Sequence, residues 1–170
     1  VVPTGTTIAY PSETENFHYE AELVVAIGTA GRNIATSDAA RYIFGFATGL
    51  DMTRRDLQLE AREKGRPWDT GKNVEQSSPI GLLHPIAETG DMTSGAIRLT
   101  VNDEVKQDAD LTELIWPVND VVAYVSRFNR LEPGDLIYTG TPEGVGPVHE
   151  GETLVASIGG FPSLTVGVRR

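Results

Sequence analysis

Apolar positions in this chain come in short runs, and the spacing within each run separates strands from helices. Residues 19–28, Tyr-Glu-Ala-Glu-Leu-Val-Val-Ala-Ile-Gly, predict a strand. Side chains alternate across a strand, so Glu20 and Glu22 share one face while Leu23, Val25 and Ile27 share the other. Residues 42–51, rich in aromatic residues and glycine, predict a second strand that closes on Asp51. Between the two, Thr36 or Ser37 can cap a short helix beginning near Asp38, whose acid complements the helix dipole. Residues 54–64 read as a helix, stopped by Gly65 and blocked by Pro67. Residues 1–17, rich in Thr, Pro and Ser, predict irregular chain with a short strand at 6–9.

Further along, residues 66–81 show no period and predict a loop. Residues 97–101 and 105–107 flank Asn102-Asp103-Glu104, a hairpin signal. Pro117 is a favoured first-turn residue, and Val118, Val121, Val122, Val125 and Phe128 follow at helical spacing. The tail predicts short strands at 135–139, 153–158 and 164–168. There is no internal repeat, low-complexity tract or long linker. The chain therefore reads as a single α+β domain over 1–170, strand-rich, with a few short helices at its edges.

Charge and composition narrow the partners. The 24 acidic residues against 14 basic ones give a net charge of −10, which argues against nucleic acid and anionic membranes. No cysteine is present, which removes disulfides, thiol nucleophiles and zinc–thiolate sites and fits a cytoplasmic protein. No apolar stretch approaches the roughly 18–20 residues of a membrane span, and no signal peptide is visible.

Candidate chemistry centres on acids. Two carboxylates on one strand face, joined by Asp51 from a neighbouring strand, would form a hard all-oxygen site suited to Mg²⁺, Mn²⁺ or Ca²⁺. The alternative is that Glu20 and Glu22 are only the wet face of a half-exposed strand. The segment Leu136-Ile-Tyr-Thr-Gly-Thr-Pro-Glu-Gly-Val-Gly146 runs from strand into a glycine turn whose N–H groups and Thr hydroxyls could face an anion. It is neither a P-loop nor a dinucleotide fingerprint. Lys72 is a solvated loop residue or, beside a metal, a cation for a substrate carboxylate or a developing enolate. Gln58 is a surface polar group or a substrate-positioning donor. His18 shares the side of Glu20 and Glu22 if the strand extends to it, as a support for them or a proton carrier. His84 and His149 read as ordinary surface residues. No His pair has zinc spacing and no Gly-x-Ser-x-Gly elbow occurs, so metal-activated chemistry is the stronger reading.

Five segments, taken in order, resemble the fumarylacetoacetate hydrolase family. They are His18-Tyr-Glu-Ala-Glu22, Leu50-Asp-Met-Thr-Arg-Arg-Asp-Leu-Gln58, Gly65-Arg-Pro-Trp-Asp-Thr-Gly-Lys72, Leu131-Glu-Pro-Gly-Asp135 and Thr139-Gly-Thr-Pro-Glu-Gly-Val-Gly146. The wording around Arg54-Arg55-Asp56 and Arg66-Pro67-Trp68 is most similar to its acylpyruvate or fumarylpyruvate hydrolase branch. The resemblance implies a mixed β-roll or β-sandwich, usually a homodimer. It makes Glu20, Glu22 and Asp51 ligands of Mg²⁺, with Mn²⁺ or Ca²⁺ as alternatives. Lys72 would stabilise charge on substrate oxygen, and Gln58, Thr141 and Arg54 or Arg55 would hold the substrate. The implied reaction is hydrolysis of a C–C bond in a 2,4-diketo acid, giving pyruvate and a carboxylic acid.

The family's water-activating His–Glu pair lies in an N-terminal segment, which is expected to precede Val1; His18 is the substitute within these residues. Oxaloacetate decarboxylation or diacid isomerisation on the same site is the alternative activity. A relative that binds metal and ligand without turnover is a third reading. A phosphohydrolase lacks the basic cluster that phosphate needs.

Overall fold

Backbone pairing sorts the apolar runs into three sheets. The computed structural model describes residues 1–170. Its first half carries β1 (Val2–Pro3), β2 (Thr7–Ala9), β3 (Phe17–Tyr19), β4 (Ala21–Ile27), β5 (Ile43–Leu50), β6 (Thr53–Arg54), β7 (Pro79–Ile80) and β8 (His84–Pro85). The second half adds β9 (Ala96–Val101), β10 (Glu104–Asp110), β11 (Leu136–Tyr138), β12 (Gly146–Pro147), β13 (Thr153–Ile158) and β14 (Leu164–Arg169). Four helices are interspersed: α1 (Arg55–Glu63), α2 (Asp69–Lys72), α3 (Ile86–Thr89) and α4 (Val118–Phe128). None is long and apolar enough to cross a membrane.

The first sheet has the order β1-β7-β5-β4-β11, with β8 also on β5; the second runs β10-β9-β13-β14-β2. A small third sheet, β12-β3-β6, sits at the end of the first. β4 meets β9 and β5 meets β13, so the larger sheets pack against each other. One cluster of 28 buried residues fills the space, with Leu23, Val25, Ile27, Phe46 and Leu50 facing Leu99, Leu154, Ile158, Leu164 and Val166. Fully burying one such side chain contributes roughly 1.5–3 kcal/mol. All seven residues of β4 are buried, and the strand lies inside its sheet between β5 and β11. The expected strand-rich α+β architecture is the one observed.

The local departures have physical reasons. The expected strand at 19–28 is broken at Glu20, where the chain leaves the small sheet and enters the large one. The helix near Asp38 is a 3-10 segment, Thr36–Tyr42, whose cap position is Ala35 and not Thr36 or Ser37. Thr36 instead donates its hydroxyl to Asp120 at 3.0 Å, a tertiary partner that competes with capping. The loop at 66–81 contains α2 and β7, which are held by tertiary contacts too short to leave a period. Phe128, on the expected apolar stripe of α4, is 61% exposed, while Ala123 and Ser126 face inward. The hairpin turns on two residues, Asn102 and Asp103, both at positive φ (48° and 68°), as a tight primed turn requires.

Asp56, in the first turn of α1, ties the N-terminal segment to that helix. It accepts the Thr14 hydroxyl at 2.6 Å and the N–H groups of Glu15 and Leu57, each at 3.0 Å. Burial alone would raise its pKa, but these hydrogen bonds outweigh burial and hold it below the ordinary value. A lowered acid contributes stability above its unfolded pKa and loses it as pH falls through the folded one. Asp56→Ala is therefore expected to cost about 1–2 kcal/mol at pH 7. Melting curves between pH 7 and pH 3 should show the gap to wild type closing on acidification. A gap independent of pH would rule out the carboxylate as its source.

Candidate metal centre

The break at Glu20 builds the site. The Asp51 N–H donates to the Glu20 carbonyl at 2.8 Å, continuing the β4–β5 ladder one step beyond the Ala21–Leu50 pair. That step sets Asp51 beside Glu20, with Glu22 two residues along the same edge. One carboxylate oxygen from each of the three lies within 4.8 Å of the others. Glu20 and Glu22 are only 6% and 4% exposed, which excludes the reading of a wet strand face. Like charges this close and this dry repel strongly unless a cation stands among them.

Two protein cations answer part of that charge. Lys72 donates to Glu20 at 2.6 Å, to Asp51 at 2.5 Å and to the Thr53 hydroxyl at 2.8 Å. Burial would lower its pKa, yet the bonds to Asp51 and Glu20 prevail and raise it, so it stays an ammonium. Arg55 pairs with the other oxygen of Glu20. Glu22 has no such cation; it accepts the Gly140 N–H at 2.7 Å. Burial, with the charges of Asp51 and Glu20 beside it, pushes its pKa up to about 7 against the opposing Gly140 bond and Lys72. Burial also raises Asp51, against the pull of Lys72.

Of the expected substrate contacts, Arg55 and Gln58 are brought together and Arg54 is not. Arg55 donates to Gln58 Oε1 at 2.5 Å, while Arg54 points to the Thr70 carbonyl at 3.3 Å. His18 lies behind Arg55 and does not contact the carboxylates. Its Nδ1 accepts from Arg55 Nε at 3.3 Å and its Nε2 pairs with Asn16 Oδ1 at 2.8 Å. Burial and the neighbouring guanidinium lower its pKa to about 4, so the ring is neutral and both nitrogens are engaged. His84 is not the ordinary surface residue expected: half-buried, it stacks on Phe161 with ring centroids 4.3 Å apart. Thr141 stands one residue beyond the Gly140 that holds Glu22. Thr53, Tyr138 and Gln107 were not foreseen. Thr53 fixes Lys72, burial and the Asp51 and Glu22 charges raise the Tyr138 pKa, and Gln107 grips the 139–146 loop. Thr53 and Tyr138 lay near candidates in sequence, Asp51 and Thr141; Gln107 did not.

Lys72 reaches the acids because α2 sits directly on α1. A Cβ on Gly71 would come within 2.9 Å of the Gln58 backbone nitrogen, so no larger residue fits. Gly71→Ala is expected to push Lys72 and Gln58 apart and reduce turnover by roughly 10²-fold, the cost of a misplacement near 1 Å. Steady-state kinetics alongside a melting curve check this. Turnover within threefold of wild type would show that α2 adjusts without moving Lys72.

A triad of hard oxygen donors, with no nitrogen or sulfur among them, fits Mg²⁺, Mn²⁺ or Ca²⁺. The family model for Fumarylacetoacetate (FAA) hydrolase C-terminal matches residues 1–169. The chain belongs to the fumarylacetoacetate hydrolase family. Among family members, the fumarylpyruvate hydrolase of Ralstonia sp. is 50% identical over 169 residues, 98% of this chain and 88% of that protein. The mitochondrial oxaloacetate tautomerase of Homo sapiens is 38% identical over 168 residues, 99% of this chain and 76% of the relative. The crystal structure of fumarylpyruvate hydrolase from Pseudomonas aeruginosa, in complex with Mn²⁺ and pyruvate, matches with a TM-score of 0.95. It is 49% identical and the match covers 99% of this chain and 73% of that one. The five-segment resemblance, the hydrolase branch and the fold are thereby borne out.

Proposed function

We propose that this enzyme is a metal-dependent hydrolase cleaving the C3–C4 bond of a 2,4-diketo acid of the acylpyruvate class, with fumarylpyruvate as the preferred substrate. The observation that carries this is the 50% identity to a fumarylpyruvate hydrolase across 98% of the chain. The clustered acids and Lys72 support it. Glu20, Glu22 and Asp51 would hold the cation, which we take to be Mg²⁺ with Mn²⁺ able to replace it. When bound, it supplies Lewis-acid polarisation of the keto-acid oxygens. A homodimer, implied by the family resemblance, belongs to the same proposal.

The remaining work falls to the side chains. Water adds through its oxygen to C4, and the C3–C4 electron pair passes to C3 as the pyruvate enolate. A proton then goes to C3, and the products are pyruvate and a carboxylic acid. Lys72 offers its ammonium to the oxygen on which that negative charge gathers, where a preorganised cation is worth most. Arg55 spends three of its N–H groups on His18, Gln58 and Glu20, leaving two for a substrate carboxylate. Gln58, whose oxygen is taken by Arg55, keeps its NH₂ to donate. Thr141 adds a hydroxyl from the opposite loop. His18 in this reading sets the angle of Arg55 and transfers no proton to or from the substrate.

Loss of the enol absorbance of fumarylpyruvate, followed with Mg²⁺ and again with EDTA, tests the proposal. Fast loss that EDTA stops, with fumarate and pyruvate as products, is the expected result. No loss in either tube would sink it. The tautomerase relatives favour a second reading, proton movement on oxaloacetate without C–C cleavage or decarboxylation. Products separate the two, because tautomerisation releases none.

A further inference from the structure

We propose that Gln107 is a positioning residue that turns the Thr141 hydroxyl outward, so that its proton is offered to a carboxylate oxygen of the substrate. This rests on Thr141 being a substrate contact. Gln107 lies in β10, is 1% exposed, and is far in sequence from every candidate in the site. Its Oε1 accepts the Ala21 N–H at 3.0 Å, between Glu20 and Glu22. Its Nε2 donates to Thr141 Oγ1 at 2.9 Å and to the Pro142 carbonyl at 3.0 Å.

The two backbone partners decide which end of the amide is nitrogen. An N–H can only be met by the oxygen and a carbonyl only by the NH₂, so the flipped amide would set donor on donor and acceptor on acceptor. Nε2 therefore donates into Thr141 Oγ1. The hydroxyl, having accepted there, must offer its own proton elsewhere. Thr141 is half-buried and stands one residue beyond Gly140, whose N–H meets Glu22, so its hydroxyl sits on the loop that reaches the acids. A free threonine hydroxyl rotates among three positions; with one lone pair taken by Nε2, this one cannot turn its proton back towards Gln107.

The same amide seats the loop. Gly140, just before Thr141, gives its N–H to Glu22, while Ala21 is clamped by the other end of Gln107. Gly144 takes φ +93°, and a Cβ there would lie 2.2 Å from the Lys106 carbonyl, so the loop rests directly on β10. Gln107 thus spans from the strand that carries the acids to the loop that carries the hydroxyl.

A double-mutant cycle tests this. Wild type, Gln107→Glu, Thr141→Val and the double variant are loaded with Mn²⁺ and titrated with pyruvate by calorimetry, with fumarylpyruvate kinetics alongside. A carboxylate at 107 would accept the Thr141 proton and turn it inward. Gln107→Glu is expected to weaken pyruvate binding about tenfold and to raise KM more than it lowers kcat. Thr141→Val should lose a similar factor, and the double variant should be no weaker than Thr141→Val alone. Thr141→Ser, which keeps the hydroxyl, should bind as wild type does. If Gln107→Glu fails to melt cooperatively, the neutral Gln107→Met takes its place in the cycle.

Losses that multiply in the double variant would overturn the proposal, as would a Gln107 variant that weakens Mn²⁺ binding as much as pyruvate binding. The cycle is read on pyruvate, so wild type that binds pyruvate without cleaving fumarylpyruvate would count against the hydrolase reading and not against Gln107.

Discussion

Glu22→Gln will lose metal-dependent turnover by at least about a hundredfold while melting at a higher temperature than the wild type. The two effects come from the same burial. Glu22 is 4% exposed, faces two other carboxylates and has no cation of its own, only the Gly140 N–H. Its carboxylate is thus costly to the metal-free fold and valuable only to a bound cation. Glutamine keeps an oxygen for Gly140 and removes the charge. A gain of about 1 kcal/mol would raise Tm by roughly 2–4 °C in a chain of this size. Asp51→Asn should lose turnover equally but without that gain, because it takes a charged partner from Lys72. Calorimetric Mn²⁺ titration, kinetics and melting of the metal-free proteins check these expectations. Near-normal Mg²⁺-dependent turnover in either variant would show that the ligands are assigned wrongly.

Lys72→Met should leave a folded, metal-binding protein whose kcat falls by about 10²–10³-fold while KM changes little. That is the cost of removing one preorganised charge from the oxygen that becomes negative during reaction. In the metal-free protein Lys72 also separates Glu20 from Asp51, so the variant should melt earlier without metal. A bound divalent cation replaces the missing positive charge, and metal should therefore raise Tm more in Lys72→Met than in wild type. If KM rises and kcat is kept, Lys72 holds the substrate in its ground state and does not serve the transition state.

Much of this site was legible before folding because its residues sit in short local patterns. The strand around Glu22 announces itself by apolar alternation, Asp51 ends an apolar run, and Lys72 follows a helix stop. The strand-rich α+β class likewise followed from runs too short for long helices. Gln107 had no such mark. Its neighbours in sequence, Lys106 and Asp108, make it look like an ordinary polar position in a hairpin, and its value comes from Ala21 and Thr141, 86 and 34 residues away. The same holds for Thr36: a sound capping residue in isolation, it is drawn to Asp120, 84 residues on.

His18 marks the boundary most clearly. Alternation placed it on the side of Glu20 and Glu22, but the chain changes sheets at Glu20, and Arg55 fills the space between the histidine and the acids. From sequence alone came the fold class, the family, the acids and the lysine, because strand period and motif order are properties of neighbouring residues. Which polar groups touch, how deeply the acids are buried and where the charges are answered came only with tertiary packing. Hydrogen bonds and desolvation act over a few ångströms of space, and distance along the chain does not encode that space.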